Sequence, residues 1–438
     1  MRPMNDLTAP TTPTAMTTPT AMTGLTGTRL IGLTGLAARI DAATPAHRDR
    51  AVDALRACAV LGVILGHWLV TALVGDGRTL RTASPLQHLP WLAPVSWVCQ
   101  TLAVFFLVGG HVATRSLASA RARGVPYRHW LRSRMVRLFK PVVAVLSLWT
   151  VVAFALLLSG VEFTTTRTLV KLALSPLWFL LVFAVLTAAT PMLTRLHPLW
   201  PLAVVLHVDL LRFGPGAPDA LGWINVAAGW LVPYTLGAAW SRGELDRRRS
   251  GWILLLCGTA ATAALVALAG YPAAMVGVPG AAVSNLDPPT LAVVTFGLAQ
   301  CGLALLLREP LARALRRPLA WAAVALVNLS AMTLFLWHQT ALMATTAMTL
   351  HLGRQPGLHT RPDHLGWVAE RLLWLPVFVL ALTVCWAAFR TWEQGPRQGT
   401  RQRQGTRQRK GSEQSPGGPR GRSRVVRTHR PVKDVRHV

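Results

Sequence analysis

The chain has 438 residues, of which 52% are hydrophobic and only 14% charged. Soluble domains carry about a quarter charged residues, so this balance excludes an ordinary soluble globule and points to a membrane protein. The formal net charge of +28 invites a nucleic-acid reading, but thirteen Lys and Arg fall in residues 394–438 against Glu413 and Asp434 alone. Much of the remaining charge sits in short stretches between apolar runs, the pattern of cytoplasmic loops and not of a nucleic-acid footprint.

Residues 1–46, rich in Thr, Pro and Ala, read as a disordered leader in which LIGLTGLAARI forms at most an interfacial turn. The leader lacks the basic and apolar regions of a signal peptide, so the first span is expected to direct insertion. Ten apolar spans follow, at about 54–74, 92–114, 140–159, 177–194, 199–212, 222–240, 251–270, 290–307, 330–349 and 371–390. The run from Leu319 to Leu350 exceeds one crossing and reads as an interfacial piece followed by the ninth span. The expected fold is therefore all-α and polytopic, residues 47–393 being the transmembrane domain and 394–438 a basic, disordered tail. Basic clusters at 115–140, Arg195, 242–249, 308–317 and the tail fall at every second connection. With ten spans, that puts all of them and both termini on the cytoplasmic side of the plasma membrane.

Arg56 and His67 lie eleven residues apart in the first span. About three helical turns separate them, so both fall on one face, roughly 16 Å apart. An ionisable group at that depth is costly and marks a function by default, the plainer reading being a polar contact to a neighbouring helix. An imidazole titrating near pH 6.5 has the chemistry of a general base. His111, His207 and His338 lie in other apolar runs, each singly a structural contact, together the sign of a polar interior. Arg134 and Arg137, three apart, offer two guanidinium groups to phosphates from one side, although headgroup anchoring is the better reading on spacing alone. Cys58, Cys99, Cys257, Cys301 and Cys385 form neither a metal-site nor a disulfide pattern, and no metal is expected. The nucleophile elbow, the phosphate-binding loop, HExxH and the dinucleotide glycine pattern are missing, which removes support for hydrolase, NTPase and dehydrogenase readings.

Together these motifs resemble the acyltransferase 3 family of integral-membrane acyltransferases. RDRAVDALRACAVLGVILGHW looks like the family's opening element, with its Arg and His at Arg56 and His67. FFLVGGHV at 105–112 echoes the FFxxSGF pattern, Arg134 and Arg137 match RxxR, FLWH at 335–338 matches YLWH, and WEQGP at 392–396 echoes ExP. The resemblance covers about 47–396. It implies transfer of an acyl group, commonly acetyl, from cytoplasmic acyl-CoA to a hydroxyl of a carbohydrate or other envelope or small-molecule acceptor. Acyl-CoA is then a co-substrate, with no bound cofactor. His67 becomes the essential histidine, base or acyl relay, and Arg56 orients the donor or supports the histidine. Arg134 and Arg137 hold CoA phosphates, reversing the anchoring preference, while His338, His111, Trp337 and Glu393 support the site. The chain departs from the pattern at Gly109-Gly110-His111, in place of Ser-Gly-Phe, and after the final proline. Two other readings stand beside this one: a transporter or exporter with proton-handling histidines, and a membrane-bound O-acyltransferase of different fold using His338 with Asn328.

Overall fold

The computed structural model describes residues 24–75, 79–214, 218–245 and 247–393. The described chain is helical nearly throughout. Helix α1 (Gly24–Ala42) precedes α2 (Arg50–Val70), and a short hairpin of β1 (Ala72–Gly75) and β2 (Leu80–Ala83) follows. The one-turn helices α3 (Pro85–His88) and α4 (Ala93–Ser96) lead to α5 (Leu102–Ala122), α6 (Tyr127–Leu158), α7 (Phe163–Leu174) and α8 (Leu177–Leu193). Then come α9 (Leu199–Arg212), α10 (Ile224–Arg242), α11 (Arg247–Leu268), α12 (Leu291–Ala314), α13 (Pro318–Leu329), α14 (Ala331–Thr349) and α15 (Leu365–Glu393).

Local chemistry sets the ends of these helices. Asp49 caps α2 by accepting the Val52 amide at 3.2 Å. Gly243, with φ +80°, ends α10 in the left-handed conformation that L side chains rarely adopt. Glycine also sets the closest crossing: a Cβ at Gly110 would overlap the Tyr234 carbonyl, and one at Gly237 the Leu107 carbonyl. Backbones of α5 and α10 therefore touch, as small residues allow in membrane bundles. A Cβ at Gly109 would strike the ring of Phe183, so Gly109-Gly110 serves close packing of α5. Around this crossing Phe105, Phe106, Phe179, Trp230 and Phe335 interlock edge-to-face and stacked, at centroid separations of 4.9–5.4 Å.

Each of the ten expected spans coincides with a helix, α2, α5, α6, α8 to α12, α14 and α15. By length and hydropathy, however, seven segments among the described residues are fit to cross a membrane, or eight if the bent pair α13–α14 is one. Helix α9 has only 14 residues, about 21 Å of rise against a 30 Å hydrocarbon core. Helix α10 is buried along most of its length, so protein replaces lipid around its Asn, Tyr and Trp. The break at Ser330, where α13 and α14 meet at 72°, matches the expected division of the long 319–350 run.

Three expectations change. The second span starts at Leu102, not 92, because Pro90 and Pro94 confine the preceding residues to single turns. Residues 160–176, read as a connection, contain α7. The leader is helical over Gly24–Ala42, with Ala37 buried, and Thr44 accepts the Trp321 indole N–H at 2.7 Å. Arg50 holds Asp41 at 2.7 Å and covers the same indole, which ties the end of α1 to α13. Residues 1–23 and the tail 394–438 lie outside the described residues.

Candidate active site

Helix α2 presents polar side chains to the bent pair α13–α14 at two levels. Near its start, Arg56 Nε donates to Asn328 Oδ1 at 2.5 Å, and Arg56 Nη2 lies 3.5 Å from Asp53. Asn328 Nδ2 in turn donates to the Asp53 carbonyl at 2.8 Å. Near its end, His67 Nδ1 lies 3.0 Å from the Gln339 side-chain nitrogen. Arg56 and His67 thus occupy one face, as expected, but they engage different helices.

The His67 and His338 rings lie side by side, with centroids 5.1 Å apart. His338 Nδ1 faces the Phe335 carbonyl at 2.6 Å. A carbonyl only accepts, so Nδ1 carries the hydrogen and Nε2 the lone pair. That Nε2 is buried without a partner, and so is Gln339 Oε1. The Trp68 indole donates to the His338 carbonyl at 3.0 Å and clamps α2 to α14 at this level.

The orientation of the Gln339 amide fixes the tautomer of His67. With its nitrogen toward the ring, Nδ1 accepts and the hydrogen rides on Nε2; with its oxygen there, Nε2 is the free base. Either way, Gln339 decides which nitrogen is available for proton transfer. His67 and Gln339 line a cavity of about 860 Å³ together with Cys99, Gln100, Ser84 and Trp178. This volume suits a ligand of one or a few rings. The cavity belongs to the end of α2 opposite Arg50, and α7, the β2 hairpin strand and the 276–289 connection complete its walls.

At the other end, Arg134 lies half-buried over the Trp130 ring at 5.6 Å. It sits within electrostatic reach of Arg137, Arg56 and the Tyr234 hydroxyl. Tyr234 shares a hydrogen bond with Thr190 at 2.8 Å. Neither Arg134 nor Arg137 forms an ion pair among the described residues. Three guanidinium groups from α2 and α6 therefore converge on one region, and such a cluster attracts polyanions.

The structure separates the other expected residues. His111 packs on Trp240 at 4.1 Å, beside Arg308, which grips Asp49 at 2.6 Å. Asp49 lies eighteen residues before His67, about 27 Å along α2, so His111 does not join the His67–His338 pair. The Asp49 carboxyl is pushed up by burial, yet the Arg308 contact and the Val52 amide hold it below its ordinary range. Trp337 is core, stacked on Phe389 at 3.9 Å. Glu393 ends α15, and its side chain lies outside the described residues. His207 is exposed and bonded to the Ala203 carbonyl. Asn328, weighed as a partner of His338, pairs with Arg56 instead. Among the described residues no cluster of metal-ligating side chains occurs.

With this geometry in place, the comparison with known families is decisive. A family model described as an acyltransferase domain matches residues 49–390, nearly four-fifths of the chain. The chain belongs to the acyltransferase 3 family. It is a multi-pass membrane acyltransferase. No match was found among curated proteins or among solved structures. The matched segment holds α2 to α15, hence the whole His67 cavity and the arginine cluster. Gln339 and the cavity-lining cations of α7 were not singled out from the sequence. Gln339 adjoins His338 in FLWHQ, and α7 carries a polar stripe of helical period, so both left a local signal.

Proposed function

We propose that this acyltransferase moves an acyl group, commonly acetyl, from cytoplasmic acyl-CoA to a hydroxyl of a carbohydrate or other envelope or small-molecule acceptor. One observation carries the reading: a histidine held by Gln339 in a cavity of about 860 Å³, on the same helix as Arg56 of the arginine cluster. The acceptor hydroxyl attacks the thioester carbonyl while His67 takes its proton. The C–S bond breaks, and the CoA thiolate leaves and regains a proton. Arg134 and Arg137 hold the CoA phosphates, and Arg56, fixed by Asn328 and Asp53, orients the donor beside them. His338 backs the His67 ring.

The accompanying topology is ten spans in the plasma membrane, with both termini and the basic clusters cytoplasmic. Residues 47–393 form the transmembrane domain. Reporter fusions at Gly395 and near Asp287 are expected to report cytoplasm and exterior respectively, and a shared side refutes the scheme.

Purified protein given radiolabelled acetyl-CoA and carbohydrate acceptors tests the reaction. CoA release coupled to labelled product, lost in His67→Asn, is the expected result. Substrate movement without acetyl-CoA consumption instead returns the transporter reading.

A further inference from the structure

Helix α7, FTTTRTLVKLAL, divides into two faces. Thr165, Thr166, Leu172 and Ala173 are buried, whereas Thr164, Arg167, Thr168 and Lys171 line the His67 cavity. Their spacing of i, i+3, i+4 and i+7 makes one stripe, and Arg167 and Lys171 are neighbours on successive turns. Like charges so placed repel each other and weaken a helix. Among the described residues, neither side chain makes an ion pair or a hydrogen bond. Both also lie at the end of the bundle opposite the basic clusters, where the positive-inside rule depletes cations.

Arg371, another cation at this end, shows what a structural arginine looks like here. It is buried, and Nε, Nη1 and Nη2 donate to the carbonyls of Trp68, Gly357 and Thr71, closing the end of α2. Arg167 and Lys171 have no such employment. They face an open cavity that also holds His67 and the broad rings of Trp178 and Trp223. Among the described residues, one carboxylate, Asp287, lines the same cavity without pairing with either, so described cations outnumber described anions there two to one.

We propose that Arg167 and Lys171 form an anion subsite of this cavity, and that the acceptor is a hydroxyl-bearing molecule carrying a carboxylate or a phosphate. The cations of α7 hold the anionic group while a hydroxyl of the same molecule reaches His67. Thr164 and Thr168, on the same stripe, add hydroxyls to the anion's surroundings. The inference rests on the acyltransferase reading for the role of His67, but the binding it asserts is measurable without catalysis.

The test uses the full chain in neutral-lipid nanodiscs and three probes: methyl glucoside, methyl glucuronide and glucose 1-phosphate. Equilibrium binding is followed by tryptophan fluorescence. At least one anionic probe is expected to bind about ten- to a hundredfold tighter than the neutral glycoside, the range of one charge-assisted contact. The tighter of the two distinguishes carboxylate from phosphate. Arg167→Gln with Lys171→Gln is expected to erase that advantage while leaving the neutral probe unchanged. The exchanged pair, Arg167→Lys with Lys171→Arg, keeps the charge and is expected to keep the preference. Equal binding of all three probes, an advantage that survives the double Gln variant, or its loss in the exchanged pair overturns the proposal. Acetyl transfer is read in parallel: anion-selective binding without transfer leaves the subsite standing and counts only against the acetyl-CoA reaction proposed at His67.

Discussion

The two ends of α2 hold polar groups in opposite ways. At the Arg50 end, charges are numerous and cross-linked: Arg56 to Asn328 and Asp53, Arg48 to Asp53, and Asp49 to Arg308. At the Val70 end, Arg167 and Lys171 face the cavity without ion pairs among the described residues, and His338 Nε2, beside His67, is buried without a protein partner. A buried polar atom without a partner costs about 1–3 kcal/mol. His338 Nε2 is therefore set to accept a hydrogen bond from a donor that reaches it. In the proposed reaction, the first end holds the polyanionic donor and the second receives the reacting atoms. That proposed division separates holding the donor from carrying out the transfer.

The sharpest way to break that division is His67→Asn, which keeps a polar side chain but cannot take up a proton near neutral pH. A general base contributes about 10²–10⁴-fold, so kcat should fall by that range with little change in acetyl-CoA binding. Near-normal turnover by folded His67→Asn protein removes the proton-transfer role. At the other end, Arg134→Ala or Arg137→Ala should raise the KM for acetyl-CoA about ten- to a hundredfold at constant expression. Lys at either position should rescue only in part, since it lacks the planar fork. Unchanged donor kinetics return both arginines to headgroup anchoring.

Smaller effects sharpen the contrast. Gln339→Leu removes the contact to His67 Nδ1 and should lower kcat about two- to tenfold, the worth of one neutral hydrogen bond. Gln339→Glu, which can still accept from Nδ1–H, should restore kcat if the amide oxygen faces the ring; a loss equal to that of Leu indicates the opposite orientation. Asp49→Ala removes a helix cap and its Arg308 partner and should cost about 0.5–2 kcal/mol of stability, read as a lower Tm. A carboxyl whose folded pKa is depressed stabilises above its unfolded pKa and ceases to as pH falls through the folded value. The Tm difference between wild type and Asp49→Ala should therefore shrink in acid.

Much of this arrangement is legible in the sequence, and the reason is periodicity. The first-span spacing placed Arg56 and His67 on one face, and both look toward the α13–α14 pair. The apolar runs marked the helices of the ten expected spans, because lipid-facing and core positions are both hydrophobic, but not α1, which reads as part of a disordered leader. Hydropathy alone missed α7, whose apolar half is too short to register beside Arg167, Lys171 and its threonines; the stripe at i, i+3, i+4 and i+7 was the signal. No local pattern reveals which of two adjacent residues, His338 or Gln339, bonds His67, because the crossing of α2 and α14 decides it. The crossing of helices likewise decides that His111 packs on Trp240, away from His67.

The central proposal is that donor binding and transfer chemistry occupy opposite ends of α2. Sealed membrane vesicles with the Arg134–Arg137 face outward, given radiolabelled acetyl-CoA from outside, test it most directly. With a hydroxyl acceptor enclosed in the lumen, the account predicts free CoA outside, labelled acetyl product in the lumen, and neither with His67→Asn. Label confined to the outer solution, or undiminished transfer by His67→Asn protein, would contradict it.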